Sequence, residues 1–309
     1  MDALQELYRV FATQHLWFLH DLLVDYGIFL CISLGCYLTL MSGQISIGHG
    51  ALASVGAYLT AILTVNLGFP VWLSMLLGGA AGAAVGLVVA LSLALRLEGM
   101  YLAIATFAVG EILVVAWRNM DYVGGALGFL RIPLATTIWH VAIVVGAVTL
   151  LLWRFERSHL GRAFRATFHD EWTAMAMGVD VERVKIYAWT LGGFITGIGG
   201  ALYAHNLGVL RPVNFAFDYA VMILLAPTLG GYYTFWGTYI GAAVIIFAPW
   251  ILNVTDPNYK RLGFAALFVI IMVFRPQGII GWQGSRKPAV LRLLFRDRAA
   301  PATSERRLR

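Results

Sequence analysis

The chain has 309 residues, of which 60% are apolar and only 12% charged, with a net charge of +6 and a mean hydropathy of +0.77. Soluble domains carry roughly 25% charged residues, so a water-facing globule is excluded. So is a surface-lying amphipathic protein: from Tyr26 to Leu95 there are seventy consecutive residues without Asp, Glu, Lys or Arg, and from Tyr219 to Thr255 thirty-seven, each run long enough for two or more spans of about 20 residues.

The N-terminus carries Arg9 as its one basic residue in the first twenty, so it lacks the basic region of a secretory signal. Residues 1–20 are expected to form an interfacial segment, uncleaved, ahead of a transmembrane domain over 21–284. The first span is predicted near 22–41, with Cys31 and Cys36 as two buried small residues rather than a metal or disulfide framework.

A polar, glycine-rich break follows, Ser42-Gly43-Gln44-Ile45-Ser46-Ile47-Gly48-His49-Gly50, inside the seventy-residue uncharged run. Unpaired backbone at membrane depth is tolerated only where protein or a watery cavity surrounds it, and discontinuous helices form substrate sites in transporters. Gly43, Gln44, Ser46, Gly48 and His49 are therefore candidates to line a translocation path. On physics alone a plain cytoplasmic turn, with Gln44 and His49 solvated, stands beside that reading, and a structural hydrogen-bonding role for His49 stands beside a ligand role.

Spans two and three are predicted near 50–68 and 71–95. Gly78, Gly82 and Gly86 recur every four residues on the third, and Gly193 and Gly197 repeat that spacing on the sixth; such stripes let helix backbones approach closely in lipid. The fourth span, near 99–117, holds the lone acid Glu111. A charge at a helix centre costs on the order of 2.5–3.5 kcal/mol on insertion scales, so Glu111 calls for a partner, a function or a place near the interface; Arg118, or the polar groups of Gln44 and Ser46, are the candidate partners.

After a fifth span near 133–153 comes the longest polar insertion, 154–185, which holds six basic residues including Arg162 and Arg165. A sixth span, near 187–209, precedes a tail, 285–309, with eight Arg or Lys. The positive-inside rule places the insertion and the tail in the cytoplasm. The chain between them must then cross an even number of times, so the stretch from Pro212 to Leu252 is expected to cross twice, turning near Gly230, before a last span at about 262–280. The expected fold is an all-α polytopic bundle of about eight or nine spans, with a broken or re-entrant segment and a cytoplasmic helix. Within the insertion, Glu171, Trp172, Thr173, Ala174, Met175 and the residues up to Met177 are a short run of helix formers stopped by Gly178. A helix with an apolar face and no core of its own requires a partner groove.

No phosphate-cradling loop, H-E-x-x-H, G-x-S-x-G or clustered Cys/His pattern occurs, so an enzyme is not expected, nor a metal or cofactor in this chain. The basic charge reads as membrane orientation rather than nucleic-acid binding.

The stretch Ser42 to Tyr58 resembles the signature G-x-G-Q-x-S-x-G-H-x-x-F-x-x-x-G-A-Y of the permease subunits of branched-chain amino-acid ABC importers. Four further stretches agree in order: Gly99 to Ala108 with Glu111, Gly161 to Ala166, Asp170 to Gly178, and Arg275 to Gly278. The chain departs from the pattern at Leu52, where the family usually has an aromatic, and at residues 1–20, where the family usually has an additional N-terminal span. The resemblance implies that Arg162, Arg165 and the Glu171–Gly178 segment couple the chain to cytoplasmic ATPase subunits, which would bind ATP and Mg. It also implies a second permease subunit, paralogue or self, a periplasmic substrate-binding protein, and a place in the bacterial inner membrane. The contrasting reading from the residues is an ion-coupled secondary transporter or channel using Glu111 and His49.

Overall fold

The structure is a computed structural model that describes residues 2–251 and 278–279, with side chains described from residue 19 to residue 249 and at 278–279. The last expected span and the basic tail lie outside the described residues. Among those described there are ten α-helices and no β-strand beyond a single Phe129–Leu210 bridge. Five segments are long and apolar enough to cross a membrane: Leu19–Met41, Val71–Ala94, Gly99–Asn119, Ile138–Arg157 and Pro212–Gly230; His49–Val65 and Phe235–Pro249 are shorter apolar helices.

Helix α1 (Asp2–Met41) carries the first span as the end of one 40-residue helix, so the N-terminal segment continues that span. It stops at Gly43, whose φ of +86° is left-handed; the Gly43 and Gln44 amides donate to Leu40 and Thr39 carbonyls, the Schellman closure that satisfies a helix's last acceptors. The chain restarts as α2 (His49–Val65), turns, and descends as α3 (Val71–Val89), which runs into a π-helical turn at Ala90–Ala94. Then come α4 (Gly99–Asn119) and α5 (Ile138–Arg157). The expected start of the fifth span, near 133, is instead extended chain, and α5 begins at a Thr137 cap.

The polar insertion folds as α6 (His159–His169) and α7 (Glu171–Ala176), and α8 (Val181–Leu207) returns through the bundle. The stretch after it forms α9 (Phe217–Gly230) and α10 (Phe235–Ile251), separated at Gly231, beside the turn expected near Gly230. Pro227 sits inside α9 and does not end it; the break comes at Gly231, with φ of +111°.

Helix α8 is the hub, packed on α1, α2 and α3. The two glycine stripes face each other there. A Cβ on Gly82 would lie 2.4 Å from the Gly193 carbonyl oxygen, one on Gly86 2.4 Å from that of Trp189, and one on Gly197 2.7 Å from that of Gly78. Gly78 in turn lies against Thr60 and Gly56 of α2. With little hydrophobic drive between helices in lipid, this contact of backbone on backbone is what packs the centre. His205 and Asn206, in the last turn of α8, differ from one another. His205 is fully buried with Nδ1 2.9 Å from the Pro133 carbonyl oxygen, pinning the extended chain ahead of α5, while Asn206 donates to Asp25.

Candidate functional site

The break between α1 and α2 turns its polar side chains into the bundle. Gln44 is 3% exposed, and its amide is satisfied at both ends: Nε2 donates to the Ala94 carbonyl at 2.9 Å and Oε1 accepts from Trp189 Nε1 at 2.9 Å. One side chain thus joins the end of α3's π-turn to α8. Ser46, fully buried, accepts from the Gly48 amide at 3.0 Å, and the Ile47 amide donates to Thr106 of α4 at 3.3 Å. Gly48 is a close approach, since a Cβ there would meet the Thr106 carbonyl oxygen at 3.1 Å. This burial sets aside the solvated-turn reading of Gln44 and His49.

His49, the first residue of α2, is 1% exposed and stacks on Trp189 with ring centroids 5.5 Å apart, inclined at 22°. Neither ring nitrogen has a hydrogen-bond partner among the described residues. What the break shows to the outside is Gly43, Ile45 and half-buried Ile47. The N-terminus of α2, without a side-chain cap, meets the first turn of α9, where a Cβ on Gly50 would lie 3.1 Å from Ala220 Cβ.

Glu111 lies about 18 Å along α4, a helix of about 31 Å. It is partly exposed and has no ion pair or hydrogen bond among the described residues. Neither Arg118, which is exposed, nor Gln44 and Ser46, whose partners lie elsewhere, meets it. Phe107, one turn before it on the same face, packs edge-on against Phe217 of α9 at 5.1 Å. The structure therefore brings Gln44, Ser46, Gly48 and His49 together and leaves Glu111 on the flank of α4 that turns toward α9.

At the basic end, α6 and α7 form a hooked pair. Arg165 pairs with Glu156 at 2.9 Å, and Glu156 also accepts from Tyr37 of α1 at 2.6 Å and from the Phe235 amide of α10 at 3.1 Å. That single carboxylate ties α6 to three helices. Arg162 instead bonds locally, to His159 and the Arg157 carbonyl. Gly43, at the end of α1, lies against α6: a Cβ there would sit 3.4 Å from the Phe168 Cα.

Helix α7 is capped at one end by Asp170, whose carboxylate accepts from the Thr173 amide at 3.0 Å; that bond holds the carboxyl below the usual carboxylate range. At the other end Gly178, with φ of +85°, closes it, the Gly178 and Val179 amides donating to Met175 and Ala174. Ala174 is its buried contact, and Glu171 bonds Lys185 of α8 at 2.7 Å. Thr173 faces outward, and Trp172 and Met177 are each 81% exposed beside exposed Met175.

Sequence reasoning did not single out Glu156, Tyr37, Trp189, Lys185 or Thr106 as parts of this arrangement. Trp189 is the sole tryptophan of α8 and Glu156 sits amid arginines, but neither fact names a partner at the other end of the chain.

A family model described as the permease component of branched-chain amino acid transport systems matches residues 18–272. The chain is 27% identical to the high-affinity branched-chain amino acid transport system permease protein LivM of Salmonella typhimurium, over 82% of this chain and 68% of that one. It is 24% identical to the probable branched-chain amino acid transport permease proteins LivM and LivH of Methanocaldococcus jannaschii, over 76% and 81% of this chain and 71% and 87% of theirs. No solved structure matches.

Proposed function

The chain belongs to the permease family of branched-chain amino acid transport systems, and from that premise we propose that it is a membrane-spanning subunit of an ATP-driven importer of branched-chain or similar amino acids. In this reading it works in the bacterial inner membrane, tail in the cytoplasm, beside a second permease subunit that is a paralogue or another copy. A periplasmic binding protein delivers solute, and ATP and Mg are held by cytoplasmic ATPase subunits.

The observation that carries the reading is the apolar, outward-facing patch of Trp172 and Met175 on a six-residue helix that has no core of its own, with Met177 at its C-cap. Such a surface in water marks a docking site. Two links run from it to the break. Glu171 holds Lys185, one turn before the Trp189 that grips Gln44, and α6 abuts Gly43. A displacement of the α6–α7 pair is thus passed to the segment 42–50, where path and packing meet. The uncapped N-terminus of α2 offers its positive dipole end to a solute carboxylate, and Glu111, free of ionic partners among the described residues, is the group to meet an ammonium. The ion-coupled alternative has less support, because no hydrogen bond joins His49 to Glu111 or to any other described titratable group.

Two variants test this in the chain co-expressed with its ATPase and second permease. Trp172→Asp is expected to lower stimulated ATPase and uptake together, at least tenfold, with unchanged membrane insertion; Glu111→Gln is expected to lower uptake with ATPase binding intact. Normal uptake by Trp172→Asp would remove the docking helix from the account, and nucleotide-independent accumulation in liposomes by the chain alone would remove the motor.

A further inference from the structure

Between α5 and α10 lies an open apolar groove of about 550 Å³, lined on α5 by residues from Ala142 to Trp153 and on α10 by Phe235, Trp236 and Tyr239. From Trp153 it runs about 16 Å along α5, the depth of one leaflet of a hydrocarbon core of about 30 Å. Its mouth carries two tryptophans, Trp153 at 40% and Trp236 at 52% exposure, in the role such rings take at headgroup level.

Beyond the mouth the charge is of one sign. The Arg157 guanidinium sits 4.0 Å over the Trp153 ring, and Arg154 is the next residue on α5. Both are exposed, and neither has an acidic partner among the described residues, because Glu156 between them is engaged by Arg165, Tyr37 and the Phe235 amide. The stacked arginine is held in place and keeps its N–H donors free for an anion.

We propose that this groove is a binding site for an anionic phospholipid, with one acyl chain along α5 between Ala142 and Trp153 and the phosphate between Arg154 and Arg157. Charge complementarity selects the occupant. An uncharged lipid would fill the apolar length and bring no anion to the two exposed guanidinium groups at its mouth, and a zwitterionic one would bring a second cation beside them with its phosphate, whereas a net anionic headgroup offers its charge to both. The site is separate from the α6–α7 patch and from the break, and its occupancy does not depend on what the chain transports.

The test uses the full chain in nanodiscs with phosphatidylglycerol or phosphatidylcholine brominated on the acyl chains. The quenched fluorescence of Trp153 and Trp236 is isolated by difference from a Trp153→Phe, Trp236→Phe variant. Phosphatidylglycerol is expected to quench at the lower mole fraction, with the preference falling about fivefold for each of Arg154→Gln and Arg157→Gln. Arg183→Gln, at an exposed pair with Asp180, is expected to leave it unchanged. Equal quenching by both lipids in the unsubstituted chain would mean ordinary annular contact and overturn the site. No quenching by either would mean that protein fills the groove, with the same consequence.

Discussion

The segment after α1 and the segment after α7 begin with the same device and then diverge. Each helix is closed by a left-handed glycine, Gly43 at φ +86° and Gly178 at φ +85°, with the same pair of backward hydrogen bonds. After Gly43 the polar side chains of Gln44, Ser46 and His49 turn inward and are buried; around Gly178 the apolar side chains of Trp172, Met175 and Met177 turn outward. Surrounded by lipid, a broken backbone has to satisfy its polar groups within protein. At the watery end of the bundle no such demand exists, and apolar groups left outside point to a partner. In the proposed function the same local chemistry thus serves a structural joint in one place and a contact surface in the other.

The largest expected effect breaks that symmetry. Gln44→Leu leaves the Ala94 carbonyl and Trp189 Nε1 without partners, and each buried orphan costs about 1–3 kcal/mol. The thermal midpoint of the purified chain in detergent should fall by several degrees. Trp172→Asp, at a side chain already in water, should leave the midpoint where it is. Equal falls would show that the α7 patch is packed against this chain's own residues, and the contrast would be lost.

How far the sequence reached follows the same division. The apolar helices, the division of Pro212 to Leu252 into two helices and the stop at Gly178 are local or additive signals: hydropathy, charge and one helix terminator. The family resemblance was legible because its motifs are short and local, three of the five lying at the break and in the α6–α7 region. The partners of those motifs were not. Gln44 meets a tryptophan 145 positions away and Tyr37 a glutamate 119 positions away, and nothing in either local sequence specifies the other. Burial direction was also hidden, since a polar segment in an uncharged run reads alike whether it lines water or is enclosed by helices.

A smaller effect sharpens the link between the two regions. Lys185 is 6% exposed at the side chain and Glu171 28%, so the pair is unequal. Glu171→Gln leaves the deeper ammonium without its counter-charge, the costly way to break a buried pair. Lys185→Met removes the deeper charge and leaves a carboxylate that water can reach, at about 1 kcal/mol or less. The expected order is therefore that Glu171→Gln destabilises more than Lys185→Met, while both speed amide exchange across 171–178. The reverse order would mean that Lys185 reaches water by another route and that α7 is held mainly through Ala174.

The smallest difference is between the two glycines. An alanine in the left-handed conformation costs about 1–2 kcal/mol, so Gly43→Ala and Gly178→Ala should lower the midpoint by similar amounts, because the methyl at Gly43 reaches only an ordinary 3.4 Å contact with Phe168 Cα and the one at Gly178 meets nothing within 4 Å. Leucine separates them. At Gly178 the larger side chain projects into open space and should cost no more than alanine, whereas at Gly43 it has to push back the end of α6, whose backbone stands in its way. Gly43→Leu should therefore destabilise beyond Gly43→Ala and also weaken the Arg165–Glu156 tie, detectable as faster exchange in α6. Identical midpoints for Gly43→Leu and Gly178→Leu would show that α6 rests loosely on the break, and the direct route from the α6–α7 pair to segment 42–50 would be gone, leaving only the one through Lys185 and Trp189.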